Sequence, residues 1–379
     1  MATSPAARPK VYSVALELTA YCNQKCLYCY NEWREDGGQG VGAPDGGTLV
    51  ARVDKMLSAW DVDHLTITGG EPFAHKEVFR LLDRVRDAGV GIQIISNGGL
   101  IDDKLAARLA PYKVRYVQVT LNAPTAPLHD DHVGGKGHFD ATIEGIKAMK
   151  RHGVPVVGCC VVTKQNAHLV GEVLTVFKEL GVRQIALSRF SPAGYATSAV
   201  ATLLPTRDDL MVAFRQADAF TVEGGAPKES AMRISCTMPV PPCAVETEEI
   251  KGVQFGTCPI GTSMQELALG PDGKLKNCTL HRTAIGGVAD ILDPSVDMLA
   301  LLKAPEITAY RKESPEFCKG CLHEKTCMGG CGAAAEWVLG HARRFPDPVV
   351  FQHVDDEFSA RLEAERADPK KRRLEVVHG

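Results

Sequence analysis

The stretch VYSVALELTAYCNQKCLYC, residues 11–29, decides the fold. Its first nine residues, rich in β-branched and apolar side chains, read as a strand that ends where the polar loop begins. The loop places Cys22, Cys26 and Cys29 in a C-x3-C-x2-C spacing, with Tyr28 just before the last cysteine. That spacing is too short for a disulfide framework and one ligand short of a four-coordinate zinc site. A [4Fe–4S] cluster takes four thiolates, so three on a tight loop leave one iron free to bind another group.

Downstream, short β-branched runs alternate with helical periodicity. Strands are expected at 11–19, 64–70, 91–98, 114–122, 154–163 and 183–190, and helices near 48–60, 75–89, 102–110, 140–152, 166–180 and 206–219. In the second helix, Leu81, Leu82 and Val85 share one face and Gly89 supplies the C-terminal stop. Six β-strand and helix units in succession predict an α/β fold with a parallel sheet, a partial (β/α)6 TIM barrel short of the closed eight. Active residues in such barrels gather at the carboxyl ends of the strands, where the cysteine loop, GGEP, SNG and TLNA all fall. After about residue 222 the alternation stops and Cys, Gly and Pro dominate. The chain therefore divides into a core over 1–222 and a small cysteine-rich domain over 223–379, held by metal more than by a large apolar core.

Composition narrows the function. The chain has 379 residues, with 43 basic against 46 acidic side chains, a balance that argues against a nucleic-acid partner. The basic run KKRR at 370–373 reads as a solvated end. No stretch approaches the roughly 20 apolar residues of a membrane span, and MATSPAARPK lacks the apolar centre of a signal peptide. A cytoplasmic protein is expected, and in a reducing compartment thirteen cysteines point to metal ligation rather than disulfides. Cys159 and Cys160, mid-strand among valines, read as core residues.

Together, the three-cysteine loop, GGEPF at 69–73, SNG at 96–98 and the six-unit alternation resemble the radical SAM superfamily over about the first 220 residues. The resemblance implies that the free iron is chelated by S-adenosylmethionine (SAM), and that one electron from the cluster cleaves SAM to a 5′-deoxyadenosyl radical. Gly69, Gly70 and Glu71 would face the methionine amine, Tyr28 the adenine and Ser96 the ribose. Thr120 would take the place of a carboxylate-binding serine, although the segment here reads TLNA. The arginine common in the family is absent, because Gly134 stands in its place, and Lys136 or Arg189 would neutralise the SAM carboxylate instead.

The second domain carries C-x14-G-x4-C, from Cys258 through Gly273 to Cys278, then C-x2-C-x5-C-x3-C at Cys318, Cys321, Cys327 and Cys331. This array resembles the SPASM domain, which holds two auxiliary [4Fe–4S] clusters; a zinc ribbon is the alternative reading of paired cysteines. By the family pattern the first cluster takes Cys258, Cys278 and Cys331 plus Cys243 or Cys236. The second takes Cys318, Cys321 and Cys327, with His341, Asp347 or His353 closing it or an iron left open, since no cysteine follows Cys331. Whichever of Cys236 and Cys243 holds no iron is a candidate hydrogen-atom donor, as in radical SAM epimerases, against the plainer reading of an incidental cysteine.

The resemblance implies an oxidoreductase that oxidises or cross-links a side chain of a ribosomally made peptide, served by a reductant such as flavodoxin or ferredoxin. Such maturases often carry an N-terminal leader-binding module; only residues 1–10 precede the first strand, so a separate leader-binding protein is expected. The alternative is dehydrogenation or epimerisation of a sugar or aminocyclitol in natural-product biosynthesis. Sulfatase-type maturation is disfavoured, because Thr279 follows Cys278 where that group carries an acid. A non-catalytic iron–sulfur electron carrier leaves GGEP and the barrel unexplained, and an RNA-modifying enzyme is disfavoured by the charge balance.

Overall fold

The computed structural model describes residues 7–34 and 42–367; the KKRR run lies outside them. The strands are β1 (Lys10–Glu17), β2 (Asp61–Thr68), β3 (Gly91–Ser96), β4 (Tyr116–Thr120), β5 (Val156–Val162), β6 (Gln184–Arg189), β7 (Arg233–Cys236), β8 (Val253–Phe255), β9 (Glu266–Leu269) and β10 (Leu275–Lys276). They form one sheet in the order β10-β9-β1-β2-β3-β4-β5-β6-β7-β8. All neighbours are parallel except β9 and β10. Helices α1 (Gly46–Ala59), α2 (Val78–Asp87), α3 (Asp103–Leu109), α4 (Ala126–Val133), α5 (His138–Arg151) and α6 (Val170–Glu179) connect the first six strands, and Arg207–Asp218 precedes β7. This is the expected α/β partial barrel.

Side chains alternate across a strand, and in-register parallel neighbours share a face. Leu16, Ile67, Ile94 and Val117 lie on one face and join a single apolar core with Leu49, Val53, Leu81, Val85 and Ile146 of the helices. The opposite face is polar. Register sets Glu17 beside Thr68, Thr66 beside Gln93, Gln93 beside Tyr116, and Thr120 beside Cys159. Glu266 of β9 extends that row, accepting hydrogen bonds from Thr66 Oγ1 at 2.7 Å and from the Ser13 hydroxyl.

Helix ends follow ordinary capping chemistry. Asp45 accepts from Thr48 N at 2.9 Å ahead of α1, and Asp102 from Leu105 N at 2.7 Å ahead of α3. Thr206 and Asp209 form a reciprocal capping box at Arg207–Asp218.

The sheet does not stop at residue 222: β7 to β10, of four, three, four and two residues, lie beyond it. Such short strands leave almost no periodic signal among Cys, Gly and Pro. Helix α4 is also unexpected, because its buried residues are His129, His132 and Val133 rather than an apolar stripe.

Candidate active site

The cysteine loop leaves the carboxyl end of β1 and is pinned from two sides. Lys25 N donates to Val133 O at 2.8 Å and Leu27 N to His132 O at 3.0 Å, so the loop runs along the end of α4. On the far side, Ala196 N donates to Cys29 O at 3.0 Å, and the Arg34 guanidinium donates to the Cys26 carbonyl.

The turn after β2 shows why GGEP is written as it is. A Cβ on Gly69, whose φ is +134°, would stand 2.8 Å from Thr19 O, and one on Gly70 would collide with the Tyr21 carbonyl. Gly70 N donates to Thr19 O at 2.6 Å and Glu71 N to Tyr21 O at 2.8 Å. With those N–H groups engaged, this turn offers carbonyl oxygens, the acceptors an ammonium needs. Glu71 is fully buried and accepts from Ser96 Oγ and Asn97 N, both at 2.9 Å, and from Phe73 N at 3.1 Å. Burial pushes its carboxyl up to about 7 against those three bonds. Asn97 extends the chain to the loop, with Nδ2 2.7 Å from Asn23 Oδ1 and 3.7 Å from Cys22 Sγ.

The remaining expected residues divide. Tyr28 reaches the Cys26 sulfur and the neighbourhood of Cys159. Register sets Thr120 beside Cys159 on the inner face, so Cys159 faces the interior while Cys160 sits in the apolar core. Ser96 donates its hydroxyl to Glu71 at 2.9 Å and accepts from Gly98 N at 3.0 Å, so it braces that carboxylate. Arg189 does not face the barrel interior. Its register puts it on the helix-facing side, its side chain is 0% exposed, and it bonds to Pro239 O at 2.7 Å, to Phe190 O at 3.2 Å and to Asp347. Lys136 stays exposed beside the loop.

Cys236 pairs in register with Leu187 on the helix-facing side, and its thiol donates to Met238 O at 3.3 Å. It lies in the apolar core, within electrostatic range of Cys159. Cys243 lies in electrostatic range of Cys327, Cys321 and Asp347. His341 Nδ1 accepts from Arg343 N and Arg344 N at 3.1 Å each, and His353 Nε2 from Arg207 N at 3.2 Å.

The donor set fits iron–sulfur clusters. Backbone N–H groups point at the sulfurs: Gln24 N at Cys22 and His323 N at Cys321, both 3.4 Å, and Ala334 N at Cys331, 3.5 Å. Such bonds stabilise thiolates on a cluster. Burial pushes the Cys22 thiol up to about 12, so it ionises only against a strong cation. Among the described residues no three His, Cys, Asp or Glu side chains close around a single ion, which a cubane with one thiolate per iron does not require. Gln24 Nε2 and Asn122 Nδ2 are buried donors without a partner, one in the loop and one at the end of β4, and they suit an anionic group bound there.

A second group at the mouth escaped the sequence reading. Glu17, the last residue of β1, is buried with Oε2 unpartnered beside a cavity with room for about one water. Tyr30, Trp33, Lys276 and Thr279 line that cavity, and Lys276 Nζ pairs with Glu32 Oε1 at 2.6 Å. Burial pushes the Glu17 carboxyl up to about 8, with Lys276 acting in the opposite direction. The only signal in the sequence was a charged residue in an otherwise apolar strand.

The model of the Radical SAM superfamily matches residues 16–188. The mycofactocin maturase MftC of Mycobacterium tuberculosis is 26% identical over 94% of this chain and 88% of its own length. The PqqA peptide cyclase of Gluconobacter oxydans is 23% identical, covering 89% of each chain. Among solved structures, anSMEcpe with bound AdoMet and the Kp18Cys peptide superposes with a TM-score of 0.66 at 18% identity, over 93% of this chain and 99% of that one.

Proposed function

We propose that this chain, whose residues 16–188 match the model of the Radical SAM superfamily, is a radical SAM enzyme with an auxiliary region of the SPASM type, and that it oxidatively modifies a ribosomally made peptide. One observation carries the substrate class: the likeness to a mycofactocin maturase and to a PqqA peptide cyclase runs along about nine-tenths of the chain, through the auxiliary cysteines as well as the barrel. Cys22, Cys26 and Cys29 would hold the cluster that binds SAM, and Cys243, Cys258, Cys278, Cys318, Cys321, Cys327 and Cys331 the auxiliary clusters. When bound, these groups supply a radical that takes a hydrogen atom and an acceptor for the electron left behind.

The chain's own residues supply position and proton handling. The carbonyl groups of Gly69 and Gly70 receive the SAM amine, and Glu71, braced by Ser96 and Asn97, fixes that turn against the loop. Gln24 and Asn122 offer donors to the SAM carboxylate, in place of an arginine. Thr120 orients the Cys159 thiol toward the interior. Oxidation at carbon releases a proton as well as an electron, and Glu17 Oε2 is the buried, unpartnered base placed to hold it. It takes the role for which Thr279 of the same cavity has no acid.

Net oxidation, a flavodoxin- or ferredoxin-type reductant, a separate leader-binding protein and a cytoplasmic setting belong to this proposal. Among the described residues no helix is long and apolar enough to cross a membrane. The test is anaerobic incubation of reconstituted enzyme with SAM, dithionite and short precursor peptides encoded beside its gene. A peptide that loses mass in units of hydrogen, with deuterium passing from it into 5′-deoxyadenosine, is the expected result. Deuterium transfer from a labelled aminocyclitol or sugar, with the peptides unchanged, would overturn it.

A further inference from the structure

The seven auxiliary cysteines do not sort in the structure as the family pattern sorts them. Cys258, Cys278 and Cys331 are linked by apolar contacts: Cys258 and Cys278 pack with Ile260 and Tyr310, and Cys278 and Cys331 with Ala333 and Ala334. Cys243 belongs elsewhere. Its segment lies on the turn that follows Cys327: a Cβ on Gly330 would stand 2.8 Å from Pro241 Cγ, one on Gly329 would stand 3.3 Å from Cys318 Sγ, and Pro242 and Cys327 line one cleft. Cys318 is in electrostatic range of Cys327, Cys243 and Cys321. Cys236, the other upstream cysteine, is held in the apolar core by Met238 O.

We propose that Cys243 joins Cys318, Cys321 and Cys327 in a complete four-thiolate site, and that Cys258, Cys278 and Cys331 form a three-thiolate site whose fourth ligand is the phenol oxygen of Tyr310. The first half replaces a cysteine beyond Cys331 with one supplied from upstream. The second half rests on where the phenol sits. Tyr310 packs in the same cluster as Cys258, and its oxygen approaches the backbone after Cys331 so closely that a Cβ on Gly332 would stand 2.5 Å from it. Burial holds the phenol protonated in the absence of a cation, and its other neighbours are a guanidinium and an imidazole. Arg343 lies over the ring with its guanidinium carbon 3.9 Å from the centroid, and Arg343 Nε and Nη2 are buried without partners. His281 Nε2 is 3.4 Å from the hydroxyl, and its Nδ1 is 3.1 Å from Glu336 Oε2. On ligation the phenol O–H bond breaks, the proton passes to His281 Nε2, and an iron–oxygen bond forms with no change in electron count.

This inference rests on the reading that these cysteines carry iron, so the experiment counts iron first. The full chain carrying Cys22→Ala, Cys26→Ala and Cys29→Ala, reconstituted anaerobically, should hold about eight irons from its two auxiliary clusters. Retention of none defeats the iron–sulfur reading and this inference with it. In that background, Cys243→Ser should change the same electron paramagnetic resonance and Mössbauer signals as Cys318→Ser, leaving untouched those that respond to Cys258→Ser. Loss of the Cys258-dependent signal in Cys243→Ser, or loss of either cluster in Cys236→Ala, overturns the sorting. Tyr310→Phe should keep its iron and circular dichroism while shifting the g-values of the Cys258-dependent cluster alone. An unchanged spectrum overturns the assignment of Tyr310.

Discussion

Arg189, the last residue of β6, and Asp347, just before the helix Pro348–Phe351, form an ion pair with no exposure on either side chain. Asp347 also accepts from Cys331 N at 2.8 Å, so one carboxylate ties the barrel to the cysteine-rich region. Removing one partner of a buried pair leaves the other charge stranded. Asp347→Asn should therefore lose about 3–5 kcal/mol of stability in denaturant titration. A loss below about 1 kcal/mol, the range of exposed pairs, would contradict the burial described here.

Gly70→Ala tests the seat of the cysteine loop. The added methyl group collides with the Tyr21 carbonyl, whose backbone is fixed by the bond from Glu71 N. Displacing the loop should lower iron content by about four per chain, the content of one cubane. Full iron content in the variant would show that the loop yields without loss of the cluster.

Cys22→Ala, Cys26→Ala and Cys29→Ala, singly, should each abolish 5′-deoxyadenosine release from SAM under dithionite. The auxiliary iron should remain at about eight per chain. Release that persists in any of the three would remove the loop from the chemistry.

Glu17 makes stability depend on pH. Burial raises its carboxyl from 4.5 to about 8, so the folded chain holds this proton more tightly than the unfolded chain. The resulting stabilisation is complete below pH 4.5 and is lost as pH rises toward about 8. Glu17→Gln, which cannot ionise, should gain on the parent protein across that window when denaturation midpoints are compared. A difference that stays flat would mean that the carboxyl titrates in its ordinary range.

The same residue should shape turnover with peptide. If Oε2 accepts the substrate proton, product formation rises as pH passes through about 8, whereas Glu17→Gln gives a low, pH-independent rate. Release of 5′-deoxyadenosine without substrate should respond little to the substitution. An equal fall in both would place Glu17 in SAM binding instead.

The first six strands and their helices were legible because each carries enough residues for its period to show: FRLLDRVRD declares its apolar face, and VPVVGCCVV its burial on both sides. Gly69 and Gly70 were legible because a close backbone approach excludes every other side chain. Arg189 was misread because a lone arginine at a strand end looks like an anion ligand. Its partner Asp347 lies 158 residues away, a separation that no local pattern encodes. Glu17 was hidden for a related reason, since residues such as Tyr30 and Lys276 enclose it from across the fold, and Cys243 was readable as a cluster ligand but not as a neighbour of Cys327. Asn122 stood in TLNA, yet only the structure shows that its amide nitrogen lacks a partner.

The pairing of β1 with β9, Ser13 against Glu266, sets an order of events in the cell. As the ribosome extends the chain, the first strand waits with one edge bare until some 250 residues later its neighbour is made, and long-range parallel pairing of this kind is slow. Exposed edges recruit other chains. Expression of residues 1–222 alone would strand β1 and β6 without β9 and β7, so a shortened enzyme should be lost to aggregation before any question of catalysis arises.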